Sequence, residues 1–215
     1  GEDPRDVFGD AVSLRGDRAL VSAPRTRREA DGDRSGVVYV FERRETGWSQ
    51  TARLTLADGD GGDAPGGEAF GESVALADDL AVVGIGGYAH QNGERAGAVA
   101  VFERSGADWS RVATLLPPDG EAADRFAHAV AIDGGLIVVG APGDATTDES
   151  AAGSAYVFGR ERASWSLRGK IRHDRAEAND RFGTAVALDG GRGLIGAVGD
   201  TDLDGAVGSA AVLQM

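Results

Sequence analysis

The most regular set of potential metal ligands lies in the segment Asp200-Thr201-Asp202-Leu203-Asp204-Gly205. Oxygen-bearing side chains at alternate positions, followed by Gly at the sixth, form the opening half of an EF-hand type calcium loop. The second half is missing, because the ninth position is Gly208 and the twelfth is Ala211. Asp200, Asp202 and Asp204 therefore form a candidate Ca²⁺ site that needs a further carboxylate from elsewhere. A plain solvated acidic loop is the alternative that the sequence favours.

A second set of residues with chemical potential occupies one repeated position, two residues after a Phe. The set consists of Asp10, Glu72, His128 and Thr184. Two carboxylates and an imidazole that met at the mouth of a channel could hold a divalent cation or act as acid and base. Strand ends tolerate any polar residue, so a shared site is the less favoured interpretation of this set.

A third set consists of acids placed two residues before each Phe: Asp6, Glu68, Asp124 and Asp180. Asp and Glu side chains next to turns commonly accept hydrogen bonds from nearby backbone N–H groups. We predict that these acids cap turns and are not part of a catalytic site.

All three sets take their positions from a pattern that occurs four times. Phe8, Phe70, Phe126 and Phe182 begin the copies, at intervals of 62, 56 and 56 residues. Fourteen residues after each Phe begin the segments Ser22-Ala23-Pro24, Gly84-Ile85-Gly86, Gly140-Ala141-Pro142 and Gly196-Ala197-Val198. Gly36, Gly97, Gly153 and Gly208 precede a third segment, and Trp48, Trp109 and Trp165 begin a fourth that the last copy lacks. A strict period of this length predicts units that stack on one another.

Each copy is predicted to form four short antiparallel strands, graded from an apolar second strand to a polar fourth. This grading is typical of a propeller blade whose first strand lines a central channel. We predict an all-β protein with a single domain, 1–215, and blades at about 6–57, 68–117, 124–174 and 180–215. The last blade lacks its outer strand, so the blades either close as a small ring or form an open arc.

The repeated residues resemble a known family. The pairs Phe8-Gly9, Phe70-Gly71 and Phe182-Gly183, the segment Gly140-Ala141-Pro142 and the three Trp residues are similar to the FG-GAP repeat. That repeat is the blade unit of the integrin α-subunit head and of many microbial surface proteins. The resemblance implies a β-propeller used for extracellular recognition or adhesion, although Ala127, Ser22, Gly86 and Val198 depart from the pattern.

The resemblance does not supply a metal site. In integrin-like blades the calcium loop lies between the first two strands, where this chain has only short turns such as Arg15-Gly16-Asp17. The family's metal ligands therefore do not carry over to this sequence. We expect no required cofactor, with Ca²⁺ as the one candidate ion.

The net charge of the chain limits the classes of partner that it can bind. The chain has 35 acidic and 22 basic residues, a formal net charge of −13, and a single lysine, Lys170. Such a surface repels nucleic acid and anionic membranes. An acidic, lysine-poor chain resembles proteins of salt-loving archaea, in which high ionic strength screens self-repulsion. The sequence has no Cys and no apolar run long enough to span a membrane.

Three function classes remain. The first is a non-enzymatic adhesion or binding module that engages a protein or glycan at the cell surface. The second is a structural subunit, in which an exposed blade edge pairs with a second copy or with the rest of a longer chain. The third and least favoured is an enzyme with a site at the channel mouth, around His128.

Overall fold

The fold is described by a computed structural model for residues 6–27, 35–56, 69–88, 96–121, 123–145, 150–201 and 208–214. These residues contain fifteen β-strands and no α-helix. The all-β class predicted from the sequence is confirmed.

The strands form four antiparallel sheets, which are the blades of the propeller. Blade 1 contains β1 (Val12–Arg15), β2 (Arg18–Ala23), β3 (Val37–Arg44) and β4 (Gly47–Leu54). Blade 2 contains β5 (Phe70–Ala77), β6 (Leu80–Ile85), β7 (Ala98–Ser105) and β8 (Asp108–Leu115). Blade 3 contains β9 (Ala129–Asp133), β10 (Leu136–Ala141), β11 (Ser154–Glu161) and β12 (Ser164–Ile171). Blade 4 contains β13 (Phe182–Asp189), β14 (Arg192–Ala197) and β15 (Ser209–Gln214).

Within each blade the strands pair in chain order, as a meander. The outer pair of blades 1, 2 and 3 shifts register at the same place, immediately before Phe41, Phe102 and Phe158. A bulge of this kind bends the outer strand and increases its twist. The repeat therefore specifies the local irregularity of the blade as well as its strands.

The core lies between the blades. Leu20, Val38 and Val40 of blade 1 pack in one cluster with Phe70 and other apolar residues of blade 2. Two further clusters join blade 2 to blade 3 and blade 3 to blade 4. Since both faces of a middle blade are covered, β6 is buried along its whole length. The apolar second strand predicted from the sequence is explained by this two-sided packing.

In blades 2, 3 and 4 the Phe that begins the copy packs between its own blade and the preceding one. Phe126 lies edge-on to Tyr156 and Phe158 of its own blade, with ring centroids 5.2 and 6.3 Å apart. It also belongs to the cluster that contains Val99 and Val101 of the preceding blade. Such edge-to-face contacts add to the stability that burial of the ring provides.

The first strands lie innermost, and the series of blades is open between blade 4 and blade 1. β1 contacts β5, β5 contacts β9, and β9 contacts β13. In a closed ring the four copies of one position would be equally buried, whereas Phe8 is exposed and Phe70, Phe126 and Phe182 are buried. Of the two alternatives that the sequence left open, the described residues form the open arc.

Candidate functional site

The described members of the three candidate sets lie at one end of the blades. Because the strands alternate in direction, the loops from second to third strands and the linkers between blades leave from the same end. At the opposite end, the described strands are joined by short hairpin turns, such as the turn between β1 and β2. We call the first end the long-loop face. Loops held by a rigid sheet are where binding residues concentrate.

The loop from second to third strand is closed by the same backbone hydrogen bond in every blade. The donors are the N–H groups of Gly36, Gly97, Gly153 and Gly208, and the acceptors are the carbonyls of Thr26, Tyr88, Asp144 and Asp200, at 3.1, 3.1, 2.8 and 2.7 Å. The four Gly have positive φ. At Gly97 a Cβ would also collide with the backbone of Phe126 in the next blade. The loop base is thus fixed, and it buries Asp144 and Asp200.

Two of the acids that precede a Phe, Asp124 and Asp180, cap turns as the sequence predicts, whereas Glu68 lies outside the described residues. Asp124 Oδ2 accepts a hydrogen bond from the N–H of Glu121 at 2.7 Å, and Asp180 Oδ2 accepts one from Glu177 at 2.6 Å. Their own carbonyls accept from Gly143 and Gly199, at 3.0 and 2.9 Å. These acids therefore tie the linker between blades to the neighbouring loop.

A charged network lies at the long-loop end of blade 3, and we call it the Lys170 cluster: Lys170, Asp119, Asp144 and Tyr156. The ammonium of Lys170 is 2.8 Å from Asp119 Oδ2 and 2.7 Å from Asp144 Oδ2. It also lies 5.0 Å from the centre of the Tyr156 ring. The Tyr156 hydroxyl donates to Asp119 Oδ1 at 2.8 Å. One cation therefore neutralises two carboxylates from different loops and fixes their separation.

Burial and these contacts shift the pKa values of the cluster in opposite directions. Burial alone would raise the pKa of Asp119, but the hydrogen bonds from Lys170 and Tyr156 and the ammonium charge lower it below 3.8. Burial raises the pKa of the neighbouring Asp124, against the hydrogen bond from Glu121, and the charge of Asp144 adds to the rise. Burial also raises the pKa of Tyr156 above its ordinary value, with further contributions from Asp144 and Asp119. The phenol therefore remains a hydrogen-bond donor to Asp119.

An open cleft of about 440 Å³ borders the cluster on the long-loop face. It is lined by Asp119, Glu121, Asp124, Asp144, Ala145, Lys170 and Arg172. Four carboxyl groups and two basic groups give the cleft hydrogen-bond acceptors and donors for a polar ligand. Lys170 already pairs closely with two acids, whereas Arg172 is half exposed and 3.9 Å from Asp144. Glu121 and Arg172 are therefore the charged side chains best placed to meet a ligand.

Sequence reasoning found only part of this cluster. Lys170 stands out in the sequence as the sole lysine, but the sequence did not place it in one site with Asp119, Asp144 and Tyr156. The repeat gives one signal that could have found the pair of Lys170 and Tyr156. Arg53 and Tyr39 occupy the same positions in blade 1, and the Arg53 guanidinium lies 5.6 Å from the Tyr39 ring. Asp119 gives no such signal, because the equivalent residue after blade 3 is Arg175.

The structure brings together two of the four residues in the predicted channel-mouth set. His128 Nδ1 is 3.5 Å from Glu72 Oε1 and 3.1 Å from Arg125 Nη2. Thr184 instead donates its hydroxyl to the carbonyl of Arg181 at 2.7 Å. Within the described ranges no hydrogen bond or ion pair joins Asp10 or Thr184 to the other two. Of the predicted channel-mouth set, only Glu72 and His128 lie together among the described residues. A metal-binding or acid–base role for them stays a prediction.

The pair depends on a departure from the repeat. Gly86 stands where blades 1 and 3 have Pro24 and Pro142. A Cβ at Gly86 would collide with the carboxylate of Glu72. The absence of a side chain at this position therefore leaves the space that Glu72 occupies beside His128.

The predicted calcium loop is described only at its first residue. Asp200 is buried, with Oδ2 at 4.0 Å from His173 Nε2. Asp202 and Asp204 lie outside the described residues. Where the structure describes the chain, no group of three or more acidic, His or Cys side chains is placed to hold a metal ion. The Ca²⁺ site stays a prediction from the sequence.

Comparison with known proteins gives one family. The model described as the FG-GAP repeat matches residues 2–41, 48–102, 109–158 and 165–213, which is well over half of the chain. Each of the last three matches begins in the outer strand of one blade and ends in the third strand of the next. A search of curated proteins finds no match.

Proposed function

The chain belongs to the FG-GAP repeat family, and we propose that it is a non-enzymatic binding module that engages a protein or glycan outside the cell. The family and the propeller fold support this class, because propellers present loops from rigid blades. Fold alone does not identify a ligand. The ligand proposal therefore depends on the long-loop face.

The observation that carries the proposal is the cleft beside the Lys170 cluster. Its charged walls come from three separate segments, the linker after β8, the loop after β10 and the end of β12. The ion pairs of Lys170 with Asp119 and Asp144 hold these segments together. A site that is fixed before the ligand arrives loses less conformational entropy on binding.

The chemistry of the cleft favours a ligand with hydroxyl or ammonium groups. Carboxylates accept hydrogen bonds from both groups, and Arg172 can donate to a carbonyl or carboxylate on the same ligand. Glycans that contain amino sugars and basic peptide segments have this combination. We propose one of these two ligand classes.

Binding can be tested on a printed array of neutral, acidic and amino-sugar glycans, together with a series of basic and acidic peptides. We expect retention on one class and a loss of about tenfold or more in Glu121→Gln and Arg172→Gln. Asp78→Asn, in a short turn at the opposite end, and Arg168→Gln, on β12 outside the cleft, are the controls. Equal retention by all variants would contradict a ligand site in this cleft.

Calcium enters the same experiment as a separate arm. We propose that binding needs no cofactor, with the acidic loop at Asp200 as the one candidate for a Ca²⁺ effect. Retention is compared in Ca²⁺ and in Mg²⁺ at matched ionic strength. If retention increases in Ca²⁺ and not in Mg²⁺, ligand binding is assigned to a metal-dependent site.

The proposed setting is a cell surface at high salt. The net charge of −13 and the single lysine support it. No helix among the described residues is long and apolar enough to cross a membrane.

The pair of Glu72 and His128 has no assigned role in the proposed binding function. An enzymatic function at the channel mouth is the least supported of the alternatives.

A further inference from the structure

Blade 1 exposes an apolar face that its counterparts cover. Phe8 is 56%, Val12 68% and Leu14 67% exposed. The equivalent residues of the other blades are buried or half-buried: Phe70, Val74, Leu76, Phe126, Val130, Ile132, Phe182, Val186 and Leu188. In each of those blades this face packs against the preceding blade. Blade 1 therefore has a blade-binding surface with no blade on it.

Blade 4 exposes the face that, in the other blades, packs against the following blade. Leu194 is 46% and Val212 73% exposed. Their equivalents are buried in the other three blades: Leu20, Val82, Val138, Val40, Val101 and Val157. There, this face receives the Phe of the following blade, as Leu20 and Val40 receive Phe70. Blade 4 therefore has a Phe-receiving surface with no Phe on it.

We propose that the two exposed faces bind each other between two copies of the chain, so that blade 4 of each copy packs on blade 1 of the other. The described residues do not make this contact within one molecule, because both faces are exposed. Two arcs joined in this way form a closed ring of eight blades, which is within the range of known propellers. Closure also removes the exposed sheet faces that otherwise promote aggregation.

The hydrogen bonds between neighbouring blades predict polar contacts at the new junction. Arg104 donates to Glu42 at 3.0 Å and Arg160 to Glu103 at 2.8 Å, from the third strand of one blade to that of the blade before it. Arg18 donates to Asp79 at 3.2 Å, from the second strand to the next turn. The N–H of Gly190 donates to Asp133 at 2.8 Å, from one turn to the turn before it.

For each of these contacts, the residue equivalent to one partner lies on blade 1 and the residue equivalent to the other lies on blade 4. Arg43 is equivalent to Arg104, and Gln214 to Glu42, so the amide oxygen of Gln214 can accept from Arg43 of the second copy. Arg192 is equivalent to Arg18 and Asp17 to Asp79, which preserves the ion pair. Asp189 is equivalent to Asp133 and Gly16 to Gly190. All three pairs join a donor to an acceptor, so the faces match in polarity as well as in apolar surface. This complementarity favours a second copy over an unrelated protein.

The assembly is tested first by mass. Sedimentation of the full chain across a dilution series at high salt should show a species of twice 22.0 kDa that dissociates on dilution. Val12→Arg or Val212→Arg should leave only the monomer, with the circular dichroism spectrum unchanged because both side chains are exposed in one molecule. Val112→Arg, at an exposed valine on β8, is the control and should leave the mass unchanged.

Cross-linking tests the head-to-tail arrangement directly, because the chain has no Cys. Leu14→Cys and Val212→Cys are made in separate proteins and mixed under oxidising conditions. We expect a disulfide-linked pair in the mixture and none in either protein alone, since the proposed contact joins two different faces. Disulfide pairs in a single variant alone would instead indicate a symmetric contact and overturn the proposal.

A charge exchange separates the proposed ion pair from a general effect on folding. Asp17→Arg and Arg192→Asp should each weaken the assembly, and the chain that carries both changes should regain it. A monomer at every concentration, an open-ended series of larger species, or a dimer indifferent to Val12 and Val212 would overturn the inference. These results do not decide whether the long-loop face of a single copy binds a ligand, so the two proposals fail separately.

Discussion

Lys170 occupies the position that a bound cation would take between two acidic loops. Its ammonium is within 2.8 Å of carboxylates on the linker after β8 and the loop after β10. The Lys170 side chain is largely buried and its ammonium lies over the Tyr156 ring, which gives it a packing role as well as a charge. A single residue therefore fixes the separation of the two walls of the cleft.

Replacing Lys170 by Met tests this role, because Met keeps the packing of the stem and removes the charge. We expect a loss of about 2 kcal/mol in the free energy of unfolding, since the buried carboxylate of Asp144 loses its close partner and keeps only Arg172, at 3.9 Å. Arg168→Met is the matched control on β12, where the ion pair with Glu161 at 2.9 Å is exposed and should contribute less than about 0.5 kcal/mol. Urea denaturation of the three proteins measures both values. Equal losses would show that the Lys170 charge has no special role.

The lowered pKa of Asp119 predicts a pH dependence of stability. A carboxyl whose pKa is lower in the folded state stabilises the fold above its unfolded pKa, and the contribution is lost as the pH falls through the folded pKa. We expect the stability difference between the natural chain and Asp119→Asn to be full above about pH 5 and to shrink below about pH 4. Asp108→Asn, at an exposed acid on β8, is the control. A stability difference that increases as the pH falls would contradict the lowered pKa of Asp119.

The residues that sequence reasoning could place are those that the repeat fixes. The caps at Asp124 and Asp180 stand two residues before Phe126 and Phe182, so local turn chemistry was enough to predict them. The bond from Tyr156 to Asp119 joins residues that are 37 positions apart, and one of them lies in a linker whose sequence changes between blades. A contact made once between non-equivalent segments leaves no periodic signal.

At the scale of elements, the loop-closing Gly joins one blade to the next. Gly97 has a φ of 90°, donates to the carbonyl of Tyr88 at 3.1 Å, and lies against the backbone of Phe126. The position thus requires both a left-handed backbone and the absence of a side chain. Its counterparts Gly36 and Gly153 have the same two requirements.

Ala substitution separates these two requirements. Gly97→Ala should cost about 3 kcal/mol, because the left-handed backbone is strained and the added Cβ meets backbone that cannot move aside. Gly106→Ala, in an open hairpin turn with a φ of 65°, has the backbone strain without the collision and should cost about 1 kcal/mol. The two free energies of unfolding, measured by urea denaturation, give the difference. Equal costs would mean that the close approach to the next blade has no energetic effect.

Strands were easier to predict than their burial. The pattern of apolar second strands and Trp-led outer strands indicated the meander of each blade. It could not indicate that β14 would be covered less completely than β6, because Leu194 and Val82 are equally apolar in sequence. Burial depends on whether a neighbouring blade is present, which is a property of the assembled arc.

At the scale of the whole molecule, the arc combines two surfaces with separate roles. The long-loop face carries the charged cleft, and the exposed faces of blades 1 and 4 carry apolar side chains. Pairing of the apolar faces would leave the clefts of both copies accessible, since the cleft lies at the end of the strands. A ring of two copies would then present two identical binding sites, which increases retention on a multivalent surface.

Net charge provides the last prediction. At −13 the chain repels itself, and the screening length falls from about 10 Å at 0.1 M salt to about 3 Å at 1 M. The melting temperature should therefore rise with KCl over this range, because the repulsion is stronger in the compact folded state than in the expanded unfolded chain.

A variant with fewer charges tests whether repulsion is the cause. Glu45→Gln, Asp108→Asn and Asp174→Asn change three exposed acids and take the formal net charge from −13 to −10. If repulsion limits stability at low salt, this variant should melt higher than the natural chain in dilute buffer and gain less from KCl. Thermal melts followed by circular dichroism at each salt concentration measure both slopes. Parallel slopes would assign the salt effect to the strengthening of apolar burial, which depends on the buried surface and is the same in both proteins.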